Sequence, residues 1–173
     1  RFVENHLVGD LVIKDNGDID FKVNFDKNPI RTYNGDKHNL EGAIEIFATP
    51  QIDRTTKKPY LNRYIIGIDP VDNDYVSTGS LASAFVFDLW NDEIVAEYTG
   101  RPQLAEDFYE ICRRLCIYYN AVANYENNIK GLFGYFNNKS SLHLLCDTPS
   151  YVRDIEEQKQ NLFGNRSKGT RTT

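Results

Sequence analysis

The chain has 173 residues, of which 40% are hydrophobic and 26% charged, which is ordinary for one globular domain with a proper core. Its formal net charge of −5 weighs against a protein that coats nucleic acid by bulk attraction, but not against an enzyme with one local basic patch. No apolar run approaches the about 18 residues of a membrane helix, so we expect no membrane contact. The chain begins at Arg1 and contains no Met, which predicts an internal fragment of a longer protein.

Residues 1–62 are predicted to form an N-terminal β-hairpin and a linker segment. Residues 10–15 and 18–23 flank Asn16-Gly17, which is the preferred dipeptide of a type I′ turn. A short strand is predicted over 43–47, before Pro50.

Residues 63–173 are predicted to form the main domain. An apolar strand over 64–68 delivers Asp69, and a polar loop follows. Strands over 82–88 and 93–98 are joined by a tight turn. A helix is predicted over 103–119, because apolar residues recur at helical spacing. These residues are Leu104, Phe108, Ile111, Cys112, Leu115 and Tyr119.

The second half of this domain alternates strands and helices. An apolar strand over 121–125 delivers Glu126, and a helix over 127–136 follows, weakened by two glycines. A strand over 142–146 ends at Asp147. A last helix is predicted over 150–161, and an exposed loop over 164–171.

This order of elements predicts a mixed α/β architecture, in which an antiparallel hairpin is followed along the chain by parallel strands of the same sheet. It resembles the ribonuclease H-like fold, a mixed sheet flanked by helices in which the first and fourth strands lie side by side. That topology would place Asp69 next to Glu126. Two acids at the rim of a sheet can share a divalent cation, because Mg²⁺ and Mn²⁺ prefer carboxylate oxygens.

Several segments around these acids resemble the nuclease domain of the large subunit of phage DNA-packaging terminases. They are Gly42-Ala43-Ile44-Glu45-Ile46-Phe47-Ala48-Thr49-Pro50, Gly67-Ile68-Asp69-Pro70, Asp74-Tyr75-Val76-Ser77, Glu97-Tyr98-Thr99-Gly100-Arg101-Pro102, Ala123-Asn124-Tyr125-Glu126-Asn127-Asn128 and Gly164-Asn165-Arg166-Ser167-Lys168-Gly169-Thr170. The resemblance covers the chain from about residue 40 to its end, and it rests on the order and spacing of these segments together.

The resemblance implies an endonuclease that cuts concatemeric double-stranded phage DNA in the cytoplasm of the infected bacterial host. It also implies a packaging ATPase domain in the same parent chain, and the portal and the small terminase subunit as partners. No G-x-x-x-x-G-K-[S/T] motif is present, so the ATPase is not in this sequence. The family's third acid would lie beyond Thr173, so the fragment is expected to be truncated before the last helices and to carry an incomplete site, and its own activity is open.

We assign the catalytic roles to Asp69, Glu126 and Asp74 in a two-metal phosphodiester hydrolysis. Asp69 would bridge two Mg²⁺ or Mn²⁺ ions, and Glu126 would bind one of them. Asp74 would be an auxiliary ligand or would orient a water, and Asp72 is a weaker candidate for the same role. Asp147 is a further auxiliary candidate, in place of the third acid. The competing interpretation is structural: strand ends, helix caps and Asx turns.

DNA contact is predicted for Arg166, Lys168 and Arg171, because the stretch from 163 to 173 has no acid. The competing interpretation is a solvated tail. An aromatic group could stack on bases, but its spacing favours the core. Its members are Tyr118, Tyr119, Tyr125, Phe133, Tyr135 and Phe136.

The odd, sparse set of three cysteines favours a reducing compartment over a disulfide scaffold. Cys112 and Cys116 lie one helical turn apart, and only His143 and Cys146 could complete a metal set. Since no zinc spacing is present, core packing is the favoured role.

Two other functions remain open. One is a different enzyme on a ribonuclease H-like fold, such as a junction resolvase or a transposase-like recombinase, which would prefer branched DNA. The other is a non-catalytic DNA-binding module, in which the acids cap helices and hold no metal.

Overall fold

The computed structural model describes residues 6–30, 40–70, 80–126 and 130–147. These residues form a mixed seven-stranded sheet and two α-helices, so the predicted α/β class is confirmed. The strands are β1 (Leu7–Ile13), β2 (Ile19–Val23), β3 (Ala43–Ile46), β4 (Tyr64–Asp69), β5 (Ala82–Asp88), β6 (Glu93–Gly100) and β7 (Val122–Tyr125). The helices are α1 (Ala105–Tyr119) and α2 (Lys130–Asn138), and a 3₁₀ turn covers Leu142–Leu144. The predicted last helix (150–161) and the loop over 164–171 lie outside the described residues.

The strands lie in the order β2-β1-β3-β6-β5-β4-β7. Within this sheet β4 and β7 are parallel, and the other neighbours are antiparallel. The parallel pairing of the first and fourth strands of the main domain agrees with the prediction. β3 pairs with β6, with Ala43 opposite Thr99, so residues on both sides of residue 62 belong to one sheet.

The first hairpin forms where predicted, but its turn differs. Ile13 pairs with Ile19, the Gly17 N–H donates to the Lys14 carbonyl at 2.9 Å, and the Lys14 N–H donates to the Asp18 carbonyl at 2.8 Å. Gly17 has φ 84°. This is a three-residue loop in which one left-handed glycine follows the turn, not the predicted two-residue type I′ turn, which needs two residues of positive φ.

The core lies between one face of the sheet and α1. Along β4, Tyr64, Ile66 and Ile68 are buried and point towards the helix. The ring of Tyr64 packs 5.1 Å from that of Tyr119. The amphipathic α1 buries Phe108, Tyr109, Cys112, Leu115, Cys116 and Tyr119. Helix α2 then packs on α1 and adds Leu132 and Phe136 to the same cluster.

Every second residue of β4, β5 and β7 faces away from α1 and α2. We call this surface the open face, because no helix among the described residues packs on it. Its members on β4, β5 and β7, by the alternation of the strands, are Ile65, Gly67, Asp69, Ser83, Phe85, Phe87, Val122 and Asn124.

The predicted strand over 142–146 is wrong in its first part. Leu142–Leu144 form a 3₁₀ turn, with the Leu144 N–H donating to the Ser141 carbonyl at 3.0 Å. Only then does Leu145 form a parallel bridge with Ala123. A short apolar run fits either structure by its pattern alone, so the sequence did not distinguish a 3₁₀ turn from a strand here.

Candidate functional site

Asp69 and Glu126 lie at the same edge of the sheet, at the ends of neighbouring parallel strands. Ile68 on β4 is paired with Tyr125 on β7, and each acid follows directly in the sequence. Adjacent strands are about 4.8 Å apart, and side chains at the same level of a parallel pair point to the same face. The register therefore brings the two predicted site residues together on the open face.

The local sequence explains why both acids point away from the core. Ile68 and Tyr125 are buried, at 7% and 1% exposure, so the next residue of each strand turns to the opposite face. Asp69 is exposed and Glu126 is half-buried. Water can thus reach both carboxylates, as a cation site that retains water ligands requires.

Polar residues continue this level of the sheet onto β5 and β6. Asp69 is paired with Ser83, and Ser83 with Thr99. The Thr99 hydroxyl donates to Glu97 Oε1 at 3.1 Å. The acid pair is therefore one end of a polar row at the edge of the open face.

Asp147 reaches the same edge on the far side of β7. Leu145 bridges Ala123 in parallel, and the Cys146 N–H donates to the Ala123 carbonyl at 2.8 Å. This register puts Asp147 level with Tyr125, one residue short of Glu126 and on the face of the sheet opposite to that of Asp69 and Glu126. Asp147 is exposed.

The donor set at this edge fits a hard cation. Carboxylate oxygens with access to water are the ligands that Mg²⁺ and Mn²⁺ prefer. Within the described part of the chain, no group of three or more His, Cys, Asp or Glu side chains is arranged to hold a metal ion. Asp69 and Glu126 would therefore supply two protein ligands, with water completing the shell. Asp72 and Asp74 lie outside the described residues.

Basic residues also lie at this edge, and sequence reasoning missed them. Arg101 follows β6, whose end lies at the same edge as that of β4, and its Nη1 donates to the Ser80 carbonyl at 3.0 Å. Lys130 begins α2 shortly after β7 and is exposed. The signal in the sequence is that each basic residue follows a strand, and it becomes informative once the directions of the strands are known. Arg166, Lys168 and Arg171, which were predicted to contact DNA, lie outside the described residues.

The cysteines pack in the core, as the favoured interpretation predicted. Cys112 and Cys116 are fully buried, and burial raises the pKa of both thiols. A thiol with a raised pKa is a poor metal ligand, because the thiolate is the binding form. His143 is exposed on the 3₁₀ turn.

The aromatic group that could have stacked on bases is mostly in the core. Tyr119, Tyr125 and Phe136 are buried, whereas Phe133 is 38% exposed. The exposed ring on the open face belongs instead to Phe85, also at 38%. The alternation in β5, with small residues inward and Ser83, Phe85 and Phe87 outward, is the signal that could have found it.

A cleft of about 980 Å³ lies between β1, β3 and the start of α1. Five of its charged residues form ion pairs with one another. Lys27 lies 3.4 Å from Asp10 and 3.1 Å from Glu41, and Arg114 lies 2.9 Å from Glu110. The hairpin is joined to α1 here by Arg114, whose Nη1 donates to the Leu11 carbonyl at 2.7 Å. Arg101 and Asp107 also line the cleft.

No helix in the described part of the chain is long and apolar enough to cross a membrane. Comparison with protein-family models, with curated proteins and with solved structures gives no match for this chain.

Proposed function

We propose that this chain is the nuclease domain of a viral terminase large subunit, a metal-dependent endonuclease that cuts concatemeric phage DNA during genome packaging. The observation that supports it is the parallel, in-register pairing of β4 with β7, which brings Asp69 and Glu126 together on an open face. In the order β6-β5-β4-β7, β4 and β7 are neighbours, and these are the first and fourth strands of the main domain along the chain. This order is compatible with the ribonuclease H-like fold that the proposal requires.

The chemistry divides between the ions and the protein. Two divalent cations, when bound, would activate a water and stabilise the leaving oxygen of the phosphodiester. Asp69, at the end of β4 between β5 and β7, would be a ligand of both ions. Glu126 would bind one ion from the neighbouring strand. Asp147, which is level with the core-facing Tyr125, is not placed to act as a third acid. Arg101 and Lys130 would attract backbone phosphates to an edge that is otherwise acidic.

The first test is structural. Crystals soaked in Mn²⁺ and measured at the manganese edge should show anomalous density bonded to a carboxylate oxygen of Asp69 and one of Glu126, at roughly 2.0–2.2 Å. Absence of density there, with the two carboxyl groups more than about 8 Å apart where one ion cannot bridge them, would reject the metal site and favour a non-catalytic binding module.

The second test is catalytic. With Mn²⁺ and supercoiled plasmid, Asp69→Asn and Glu126→Gln should lower the nicking rate at least about a hundredfold, since each removes a metal ligand. Asp20→Asn is the matched control. Asp20 is an exposed acid on β2, which is the outermost strand on the side of the sheet far from β4 and β7. Full activity in Asp69→Asn would contradict the assignment. A strong preference for a four-way junction over linear duplex would favour a resolvase instead.

A further inference from the structure

Gly67 occupies the middle of β4, where a glycine weakens a strand unless something needs the space. Two other glycines in strands lie where the fold itself leaves no space for a side chain. A Cβ on Gly9 would collide with the Lys22 carbonyl, and a Cβ on Gly100 with the Glu41 carbonyl. A Cβ on Gly67 would meet no heavy atom of the described residues within 4 Å. The fold itself therefore does not require a glycine at this position.

The space above Gly67 is a notch in the open face. Its walls are the cross-strand neighbours, Phe85 on β5 and Asn124 on β7. Phe85 is 38% exposed, and none of its atoms comes within 4 Å of the place that a Cβ on Gly67 would occupy. Among the described residues, an exposed aromatic residue thus stands beside a glycine with free space above it.

The notch adjoins the acid pair. Asp69 is two residues beyond Gly67 on the same face, a separation of roughly 6.6 Å along the strand. That length is comparable to one nucleotide of an extended DNA strand. Phe85 is also the diagonal neighbour of Asp69, because Asp69 is paired with Ser83, and aromatic side chains span such diagonals.

We propose that the notch formed by Gly67, Phe85 and Asn124 receives the nucleoside unit next to the phosphate held at Asp69 and Glu126. This inference rests on the proposed nuclease function and adds a substrate-positioning site to it. Phe85 packs its ring against the sugar or the base, and Asn124 offers an amide to their polar atoms. Gly67, which has no side chain, leaves space for the DNA strand to approach the sheet. In a duplex the accessible apolar surface is that of the sugar, and a contact with the sugar is independent of sequence.

The test fills the notch without touching the acids. Gly67→Val adds a side chain that strands favour, in a position that no described residue obstructs. Phe85→Ser removes the ring without adding volume. Leu61→Ser is the matched control, since Leu61 is 71% exposed and precedes β4 at the opposite edge of the sheet. Affinity is measured by fluorescence anisotropy with a short labelled DNA duplex and Ca²⁺, and Mn²⁺ affinity and the melting temperature are measured for each variant.

Both notch variants should bind the duplex about tenfold more weakly than the wild type. Their Mn²⁺ affinity and that of Leu61→Ser should be unchanged, and Gly67→Val should melt no lower than the wild type. If neither notch variant loses affinity while Asp69→Asn abolishes metal-dependent binding, the notch proposal is wrong and the nuclease proposal stands. Loss in Gly67→Val alone overturns the contact with Phe85. If the wild type shows no metal-dependent DNA binding, both proposals fail.

Discussion

The guanidinium of Arg63 and the carboxylate of Asp88 form a bidentate pair in the interior, with Nε 3.0 Å from Oδ1 and Nη2 2.8 Å from Oδ2. The two residues are 7% and 2% exposed. The indole of Trp90 lies 4.8 Å from the guanidinium carbon. The pair ties the residue before β4 to the end of β5, at the edge opposite the acid pair.

Removal of one partner of this pair should destabilise the protein strongly. Asp88→Ala leaves Arg63 charged and buried, and it also removes the acceptor of the Trp90 N–H at 3.0 Å. We expect a loss of about 3–5 kcal/mol in the free energy of unfolding, measured by urea denaturation. The control is Asp20→Ala, which breaks an exposed 3.6 Å contact with Lys14 and should cost under about 1 kcal/mol. Equal losses in the two variants would contradict the prediction.

Glu110 should make stability depend on pH in the acid range. Burial raises its pKa, but hydrogen bonds from Arg113, Arg114 and Tyr135 outweigh burial and lower the pKa from 4.5 to about 2. A carboxyl group whose pKa is lower in the folded than in the unfolded state stabilises the protein when the pH is above the pKa of the unfolded state. This stabilisation is lost as the pH falls towards 2. Unfolding free energies should thus fall between about pH 4.5 and pH 2 by roughly 3 kcal/mol at most from this group. Glu110→Gln should flatten that part of the curve, and an unchanged slope would show that other groups cause it.

The three thiols should differ in reactivity. Cys112 and Cys116 are buried whereas Cys146 is half-buried, and burial raises the pKa of the first two thiols. A native-state titration with a thiol reagent at neutral pH should therefore label Cys146 first, and the other two at the rate of unfolding. Cys146→Ser should remove the fast phase. A fast phase that persists in that variant would place a core thiol within reach of solvent.

Mn²⁺ should stabilise the folded chain through the acid pair. At about a hundred times its dissociation constant, a ligand adds about 2.7 kcal/mol, which corresponds to a rise in Tm of roughly 5–11 °C for a domain of this size. Asp69→Asn should abolish the rise. The same substitution should raise the Tm without metal, because it removes one of two neighbouring like charges. A lower metal-free Tm in that variant would mean that the carboxylate has a structural partner.

Local patterns were sufficient to predict most elements of the fold. The alternation of β5, the apolar runs of β4 and β7 and the helical spacing of α1 each specify an element and its buried side. The turn after Ile13 could not be decided, since Asn16-Gly17 suits both a two-residue turn and a turn followed by a left-handed glycine. The pairing of β3 with β6 joins segments about 50 residues apart in the chain, and pairings of this kind depend on the whole sheet.

The acid pair of the candidate site could be predicted because each acid follows an apolar strand. The notch could not be predicted from the sequence. It depends on the space that the described residues leave above Gly67, and this space is defined only by the positions of the neighbouring strands. Arg101 and Lys130 were missed for a related reason, since a basic residue has meaning at this edge only once the direction of its strand is known.

During synthesis on a ribosome, Asp69 emerges well before the strand that will stand beside it. The partner of Ile68 is Tyr125, and β5, β6 and α1 must be made in between. At 5–20 residues per second, the interval is of the order of several seconds. Until β7 is made, β4 has an unpaired edge, which is a template for wrong strand contacts. The two carboxylates can therefore meet only in a nearly finished domain, and a nascent chain stalled before β7 contains one acid without the other.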